Sequence, residues 1–229
     1  MSTNLSGNAL TLNNTSLTRD TLDLVKNYYY VPDNCIAGTT TVILDGIECL
    51  CVATDVTIQG SSLRRIAVDK NHDLGYYQKY VGMTIETTVI SQIKYWRWGI
   101  YKYALGGTSQ EIGYGLKNTK KCVHGNSAYR DINSTSNTDY PLMWIGVSDF
   151  IANHSDEWFV PSLNELLNYV YPYKSKLTFD ATTGGSSGYN FWSSSEKDRN
   201  TSYIANFAYG TSDYPNKYYS GAVRLCRAF

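Results

Sequence analysis

Histidine, cysteine and carboxylate side chains form most catalytic and metal-binding sites. In this sequence their spacing indicates neither kind of site. The three histidines have no metal-ligand spacing; they are His72, His124 and His154. The acidic residues around His154, Asp149 and Glu157 among them, are better explained as a solvated helix end than as an acid–base pair. We therefore expect no enzymatic activity, no metal and no cofactor.

The cysteines are also spaced unlike a zinc or disulfide site. There are five, an odd number spread along the chain, and no two form a C-x-x-C pair. Cys49 and Cys51 form only a C-x-C, which in a strand places both on one face. Without an export signal, the pattern predicts reduced thiols that are mostly buried as small hydrophobic groups.

Tyrosine is the residue type whose abundance points to binding. The chain has 21 tyrosines in 229 residues, beside 6 Phe and 5 Trp. Tyrosine offers a large, stiff, amphipathic contact area with only about two side-chain torsions to immobilise. Because many tyrosines are ordinary half-buried strand residues, their positions must decide which of them bind.

Charge and composition exclude two classes of partner. Lys and Arg total 20 and Asp and Glu total 20, so the net charge is zero, which argues against nucleic acid or an anionic membrane surface. No apolar run reaches the roughly 18 residues of a membrane helix, and residues 1–12 lack a signal-peptide pattern. With 42% hydrophobic residues, the chain can bury a core as one large domain with a small extension.

The elements that position these residues are predicted from local pattern. Residues 1–38 form an N-terminal extension, an extended arm with a short helix from Ser16. Asp45-Gly46 predicts a two-residue hairpin turn, with a third strand after it in residues 61–70. A helix is predicted over 141–154 with Pro141 at its first position. A second begins with a Ser162/Glu165 capping box and ends at Pro172. The apolar face of this helix consists of Leu163, Leu166, Leu167 and Val170, which predicts that it packs on a sheet.

The rest of the chain alternates apolar strands with polar loops. Residues 94–125 are glycine-rich and aromatic without a sustained period, which predicts a loop-rich and often functional stretch. After a Gly/Ser-rich connection at 182–188, three pieces are strand-like: FWSSSE, SYIANFAYG and GAVRLCRAF. The segments between them, KDRNT and TSDYPNKYYS, are polar and aromatic.

Several of these motifs together resemble a known family. EWFVPSLNEL at 157–166, FWSSSE at 191–196, Asn206-Phe207 with Gly210, and VRLCRAF at 223–229 are similar in order and spacing to the variable proteins of diversity-generating retroelements in bacteria and their phages. VDKNHDL at 68–74 and GYGLKNT at 113–119 resemble the gut-phage branch of that family. The resemblance covers roughly residues 40–229.

The resemblance implies an α+β fold of the C-type-lectin-like kind, loop-rich, with two helices flanking a small twisted antiparallel sheet. The ligand-binding domain would span 39–229 with a variable region at about 197–221. In this family, template copying with errors at adenines turns Asn codons into codons for Tyr, Asp, Ser, Thr and several other residues, but not Lys. Lys197 and Lys217 would therefore be fixed positions.

Adenine change can reach thirteen positions of that region from Asn, Pro215 and Ser220 among them, and the other eleven are the residues expected to bind a ligand. Four tyrosines would supply aromatic contacts, and polar neighbours would set hydrogen bonding and charge. They are Asp198, Arg199, Asn200, Thr201, Tyr209, Thr211, Asp213, Tyr214, Asn216, Tyr218 and Tyr219. We expect residues 197–221, Tyr203 included, to form a contiguous exposed patch, and Trp192 to be buried beside it.

Relatives in fold suggest two other chemistries that the residues do not support. Formylglycine-generating enzymes share the fold and bind copper through paired cysteines, whereas Cys226 is alone in the C-terminal third. Calcium-dependent sugar binding needs clustered acidic and amide oxygens. The sequence contains neither the Glu-Pro-Asn nor the Trp-Asn-Asp signature of calcium-dependent sugar binding. Asp213 and Asn216 alone provide too few oxygen ligands for a calcium ion.

The function implied is noncovalent binding by a phage or prophage receptor-binding protein through a diversified, tyrosine-rich surface. Its partner would be a protein or glycan receptor on a target cell surface. The protein would reside in the phage virion, at the tail, or in the cytoplasm of the producing bacterium. A structural virion or assembly protein and a bacterial surface adhesin are the open alternatives, and a homo-oligomer is open too.

Overall fold

The computed structural model describes residues 29–58, 63–77, 95–126, 142–179 and 189–229. The arm and short helix expected within residues 1–28, Pro141, and the Gly/Ser-rich connection at 182–188 lie outside these residues. The described end of the expected extension contacts the sheet, because the backbones of Tyr30 and Ile43 exchange two hydrogen bonds of 2.9 Å.

A five-stranded antiparallel sheet forms the larger β layer, in the order β1-β2-β3-β10-β5. Its first strands form the predicted hairpin, whose turn uses Asp45 at φ 52° and Gly46 at φ 76°. Two successive positive φ values are the geometry that suits the twist of a two-residue hairpin. The strands are β1 Thr41–Leu44, β2 Ile47–Thr57, β3 Leu63–Asp69, β5 Trp158–Phe159 and β10 Cys226–Ala228.

The smaller sheet has three antiparallel strands in the order β6-β7-β8. They are β6 Asn190–Glu196, β7 Ser202–Asn206 and β8 Thr211–Asp213. A two-residue pair, β4 Trp96–Arg97 with β9 Ser220–Gly221, lies beside them. The first strand-like piece is thus confirmed and the second is a strand over residues 202–206 only, but the third is not one strand. Residues 222–225 cross between the sheets, where buried Arg224 forms an ion pair with Asp73 at 2.8 Å.

Four α-helical segments accompany the sheets in the described residues. They are α1 Leu74–Tyr77, α2 Gly115–Asn126, α3 Met143–Asn153 and α4 Leu163–Glu165. Among them, none has the length and apolar character needed to cross a bilayer.

The chain after α4 departs from the prediction. Ser162 and Glu165 form the expected capping box, since Glu165 N donates to Ser162 Oγ and Ser162 N donates to Glu165 Oε2. The helix nevertheless continues as a π-helix over Leu166–Val170 and a 3₁₀ helix over Tyr171–Lys176. Pro172 does not end it, because Pro172 lies in the first turn of the 3₁₀ segment, where its missing N–H costs little.

Two apolar cores lie on opposite faces of the five-stranded sheet. Leu166 and Val170, beyond α4, pack with Leu50 and Val68 in one core. Trp144, Val147 and Phe150 of α3 pack with Cys49 and Ala67 in the other. Alternate residues of β2 therefore enter different cores, as the two-residue period of a strand requires. The fold is α+β with helices on both faces of an antiparallel sheet.

A third long helix, α2, lies where the sequence predicted only loops. Its buried side is partly polar, because Asn118 and Thr119 point inward. The Asn118 amide donates to Ser109 O at 2.6 Å, and Thr119 Oγ1 accepts from Val160 N at 2.9 Å. The prediction of an irregular stretch over 94–125 is therefore wrong after residue 114, since this helix buries hydrogen bonds in place of an aliphatic stripe.

Trp192 holds the small sheet against the rest of the fold. Its indole is fully buried, and Nε1 donates to Trp96 O at 2.8 Å. A Cβ at position 221 would lie 2.8 Å from two atoms of the ring, so glycine there lets the backbone rest on the indole. The expectation that Trp192 is buried is confirmed.

We predict that Trp192→Ala lowers the free energy of unfolding by about 3 to 5 kcal/mol, because it leaves a large cavity and an unpaired carbonyl. Urea denaturation of the full chain measures this. Tyr219→Ala, an exposed aromatic from the same region, is the control and should change stability by no more than about 0.5 kcal/mol. Equal losses in the two variants would contradict the assignment.

Candidate functional site

The residues predicted to bind a ligand lie on two turns, an edge strand and one surface segment. Asp198–Thr201 form the turn between β6 and β7, and Tyr209 lies in the turn between β7 and β8. Thr211 and Asp213 belong to β8, the edge strand of the small sheet. The remaining predicted residues lie in the segment 214–219, which leads to β9; they are Tyr214, Asn216, Tyr218 and Tyr219.

All four predicted aromatic residues are exposed. Relative exposure is 69% for Tyr209, 51% for Tyr214, 40% for Tyr218 and 52% for Tyr219. Tyr203 is only partly exposed and packs against the core. The region 197–221 is thus not uniformly exposed as predicted. Several of its residues are buried, because alternate side chains of β7 point inward and part of the segment that leads to β9 packs inward. They are Ser202, Ile204, Ala205, Phe207, Lys217 and Gly221.

Asp198 shapes the first turn from within. Its Oδ1 accepts hydrogen bonds from the N–H groups of Asn200 at 2.7 Å and Thr201 at 2.8 Å. The Asn200 N–H is the main reason that the pKa of Asp198 lies below its ordinary value. Asp198 was predicted to set ligand specificity, and the structure gives its carboxylate a second role in the turn itself.

The side chain of Asn206 stabilises the turn that carries Tyr209 in the same way. Its Oδ1 accepts from the N–H groups of Ala208 at 2.9 Å and Tyr209 at 3.2 Å. Gly210 closes the turn with a bond of 2.8 Å to Asn206 O. Tyr209 is therefore held at the far end of β7 from Asp198, so the predicted residues run along the sheet edge and do not form one cluster.

The segment 214–219 is hydrogen-bonded to the first turn. Ser202 N donates to Pro215 O at 3.2 Å, and Lys217 N donates to Asn200 O at 2.9 Å. Thr201 and Asn216 form an isolated antiparallel bridge. The turn and the segment consequently form one continuous surface.

Lys217 fixes this surface from below. Its side chain is fully buried, where Nζ forms an ion pair with Glu196 and donates to Tyr103 O at 2.7 Å. Nζ also lies 5.0 Å from the centroid of the Trp98 ring. Burial lowers the pKa of Lys217, and the bond to Glu196 opposes that effect. Lys217 was predicted from the sequence to be a fixed position, and that stays a prediction.

Lys197, the other lysine in the region, is exposed. Its Nζ lies over the Tyr214 ring, 2.8 Å from the centroid. The Tyr214 ring is in turn 6.2 Å from that of Tyr203, in an edge-on arrangement. Lys197 therefore helps to orient an exposed aromatic residue, in contrast to the buried role of Lys217.

A groove of about 430 Å³ opens beside the edge strand. Its floor is the face of β6 and β7 that carries Asn190, Ile204 and Asn206, and one wall is the edge strand β8, because the register places Asn190 opposite Asn206 and Asn206 opposite Thr211. The other wall is the segment 214–219 together with Ser220, which we call the crossing segment. The lining residues are Asn190, Ile204, Asn206, Thr211, Ser212, Asp213, Pro215, Tyr219 and Ser220. Thr211, Asp213 and Tyr219 are thus brought together in one concave site.

A tyrosine cluster extends the surface beyond the predicted residues. Tyr218 contacts Tyr219, with ring centroids 4.8 Å apart, and Tyr101, with centroids 5.1 Å apart. Tyr101 and Tyr103 are themselves exposed. Only the aromatic richness of residues 94–125 hinted at their role. Asn190 and Asn206 in the groove were also missed as site residues, because only strand pairing brings them there.

The residues with catalytic potential elsewhere have structural contacts. The His154 ring stacks on Phe150, with centroids 4.1 Å apart, and its Nδ1 lies 2.9 Å from Phe150 O. The cysteines are free thiols, and all except Cys35 are buried. Within the described ranges, no three His, Cys, Asp or Glu residues are grouped so that they could hold a metal ion.

We predict that the two lysines of the region differ sharply when each is replaced by methionine. Lys217→Met leaves Glu196 buried without its counter-ion and should lower the free energy of unfolding by about 3 to 5 kcal/mol. Lys197→Met removes an exposed charge and should change it by no more than about 0.5 kcal/mol. Chemical denaturation of both variants measures the difference, and similar values would show that Lys217 is not an internal support.

No family model, curated protein or solved structure matches the sequence. The surface itself combines the exposed tyrosines, the groove between the edge strand and the crossing segment, and the buried lysine beneath them.

Proposed function

We propose that this protein binds a ligand noncovalently through a retroelement-diversified, tyrosine-rich surface. The observation that carries the proposal is the position of Tyr209, Tyr214, Tyr218 and Tyr219, all exposed on short polar segments around a groove. Exposed tyrosines on segments rich in Ser, Asn and Asp are typical of surfaces that bind varied partners. No catalytic step is part of the proposal.

The exposed residues of the proposed binding surface are separate from the buried residues that support them, and this separation favours diversification. The positions reachable by adenine change point outward or lie half-buried, whereas Lys217, which is not reachable, is buried in an ion pair. Lys197, the other position that is not reachable, is exposed. Residues of the resembling motifs lie beneath the surface, among them Phe191, Trp192 and Arg224. Side chains above such a support can change with little effect on folding.

The C-type-lectin-like fold is part of the same proposal. Helices on both faces of an antiparallel sheet, with a second small sheet that bears the exposed turns, are compatible with it. We further propose a phage or prophage receptor-binding protein that recognises a protein or glycan receptor on a target cell. The motif resemblance supports this step.

We predict that replacing the four exposed tyrosines together with serine abolishes binding but leaves the melting temperature nearly unchanged. Loss of two aromatic hot spots alone costs about 4 kcal/mol, or roughly a thousandfold in affinity. The probe is a panel of whole bacterial strains, stained with the labelled full chain and measured by flow cytometry. Strains that the unaltered chain stains should no longer be stained by the variant.

The control replaces exposed tyrosines outside the surface, Tyr29, Tyr30 and Tyr114, with serine. This triple variant should retain binding. If the quadruple variant still binds, the surface is not the site. If it fails to fold, the four tyrosines belong to the structural support, as in a virion assembly protein.

The diversification itself is tested at the level of the gene. Sequencing the surrounding DNA should find a near-copy of the region encoding residues 197–221 that differs only at adenines, beside a reverse transcriptase gene. A locus without this pair would remove the retroelement from the proposal while leaving the binding surface in place.

A further inference from the structure

The chemistry of the groove indicates one class of ligand. We propose that it binds a neutral saccharide, an inference that rests on the proposed function and narrows it from any receptor to a glycan. The groove is open along the small sheet and, at about 430 Å³, is large enough for a short oligosaccharide. Its lining supplies hydrogen-bonding groups, an aromatic ring and no positive charge.

Several polar side chains converge on the groove with their hydrogen-bonding capacity unused. Those of Asn190, Thr211, Ser212 and Ser220 line it, and none bonds to another side chain or to the backbone within the part of the chain that the structure describes. Asn206 uses only Oδ1 in its turn, so its amide nitrogen remains a donor. Hydroxyl and amide groups both donate and accept, which is what a hydroxyl-rich ligand requires.

The charge of the groove argues against an anionic ligand. Asp213 is the single ionisable acid among its lining residues, and the lining contains neither lysine, arginine nor histidine. Phosphates and carboxylates bind where cationic side chains meet them. The lysine that lies nearest in sequence, Lys217, is buried in its pair with Glu196 and does not line the groove.

An aromatic and apolar wall faces these polar groups. Tyr219 and Pro215 line the crossing segment, and Ile204 lies in the floor. The Tyr219 ring is tilted 45° against Tyr218, which restricts its orientation. A sugar ring presents hydroxyl groups at its edge and C–H groups on its face, so it can pack its face on such a ring while its edge forms hydrogen bonds.

The floor differs from the walls in one respect. Asn190 lies before the predicted variable region and Asn206 belongs to a motif of the resemblance, whereas Thr211, Asp213 and Tyr219 are among the residues predicted to bind a ligand. A constant floor would hold the feature common to all ligands, and the walls would select among them. This arrangement favours a ligand class with a repeated chemistry, such as the ring of a saccharide.

The test titrates the full chain with neutral trisaccharides of gluco, manno, galacto and N-acetylglucosamine type, and with trigalacturonic acid. Binding is followed by calorimetry or protein NMR. At least one neutral trisaccharide should bind, and Asn190→Ala and Thr211→Val should each weaken it about tenfold, which corresponds to roughly 1.4 kcal/mol. Asn164→Ala, on the remote α4, is the matched control and should leave affinity within a factor of about two.

The outcomes separate this inference from the proposed function. If no neutral trisaccharide binds at concentrations on the order of 10 mM, or if Asn190→Ala and Thr211→Val both bind as the unaltered chain does, the saccharide inference is overturned. If the four-tyrosine variant has then still lost cell binding, the proposed function stands and the receptor is a protein. Binding of trigalacturonic acid alone would overturn the neutral class, since it would need a cation that the groove does not supply.

Discussion

The surface described above depends on one buried ion pair, Lys217 with Glu196. Both side chains are withdrawn from water, so each carries a desolvation cost that only the partner and further hydrogen bonds offset. Glu196 also accepts from Leu105 N at 2.9 Å and Gly106 N at 2.6 Å, and Trp98 N donates to Lys217 O at 3.0 Å. The pair therefore joins the end of β6, the irregular stretch 98–106 and the segment that carries Tyr218 and Tyr219.

The ion pair and its hydrogen bonds explain why many residues of this surface can be exposed without weakening the fold. The segment 214–219 has few apolar side chains of its own to bury, so its position is set by Lys217 within it and by the backbone of β9 on Trp192 at its end. Because those contacts point inward, the outward positions contribute little to the folded state. Stability and the proposed recognition are consequently assigned to different side chains of the same six residues.

Local signals in the sequence predicted the hairpin at Asp45-Gly46 and the capping box at Ser162, because each requires particular residues at adjacent positions. The helix α2 could not be recognised in this way, since Asn118 and Thr119 occupy its buried side. The edge strand β8 is three polar residues whose pairing with β7 alone defines it. The tyrosines were predicted as surface residues from the family resemblance and from the polar segments that carry them, but the groove between Asn190 and Tyr219 exists only because distant segments pair.

The turn at Asp198 adds a constraint on how such a surface can evolve. If the region is diversified as proposed, residues with a short side-chain acceptor at position 198, such as Asp, Asn, Ser and Thr, would bond the N–H groups of Asn200 and Thr201. Others would leave the turn with more conformations to lose on binding, at a cost in affinity. Variants at this one position would thus differ in rigidity as well as in contact chemistry, so a collection of such proteins would contain both preorganised and adaptable binders built on the same scaffold.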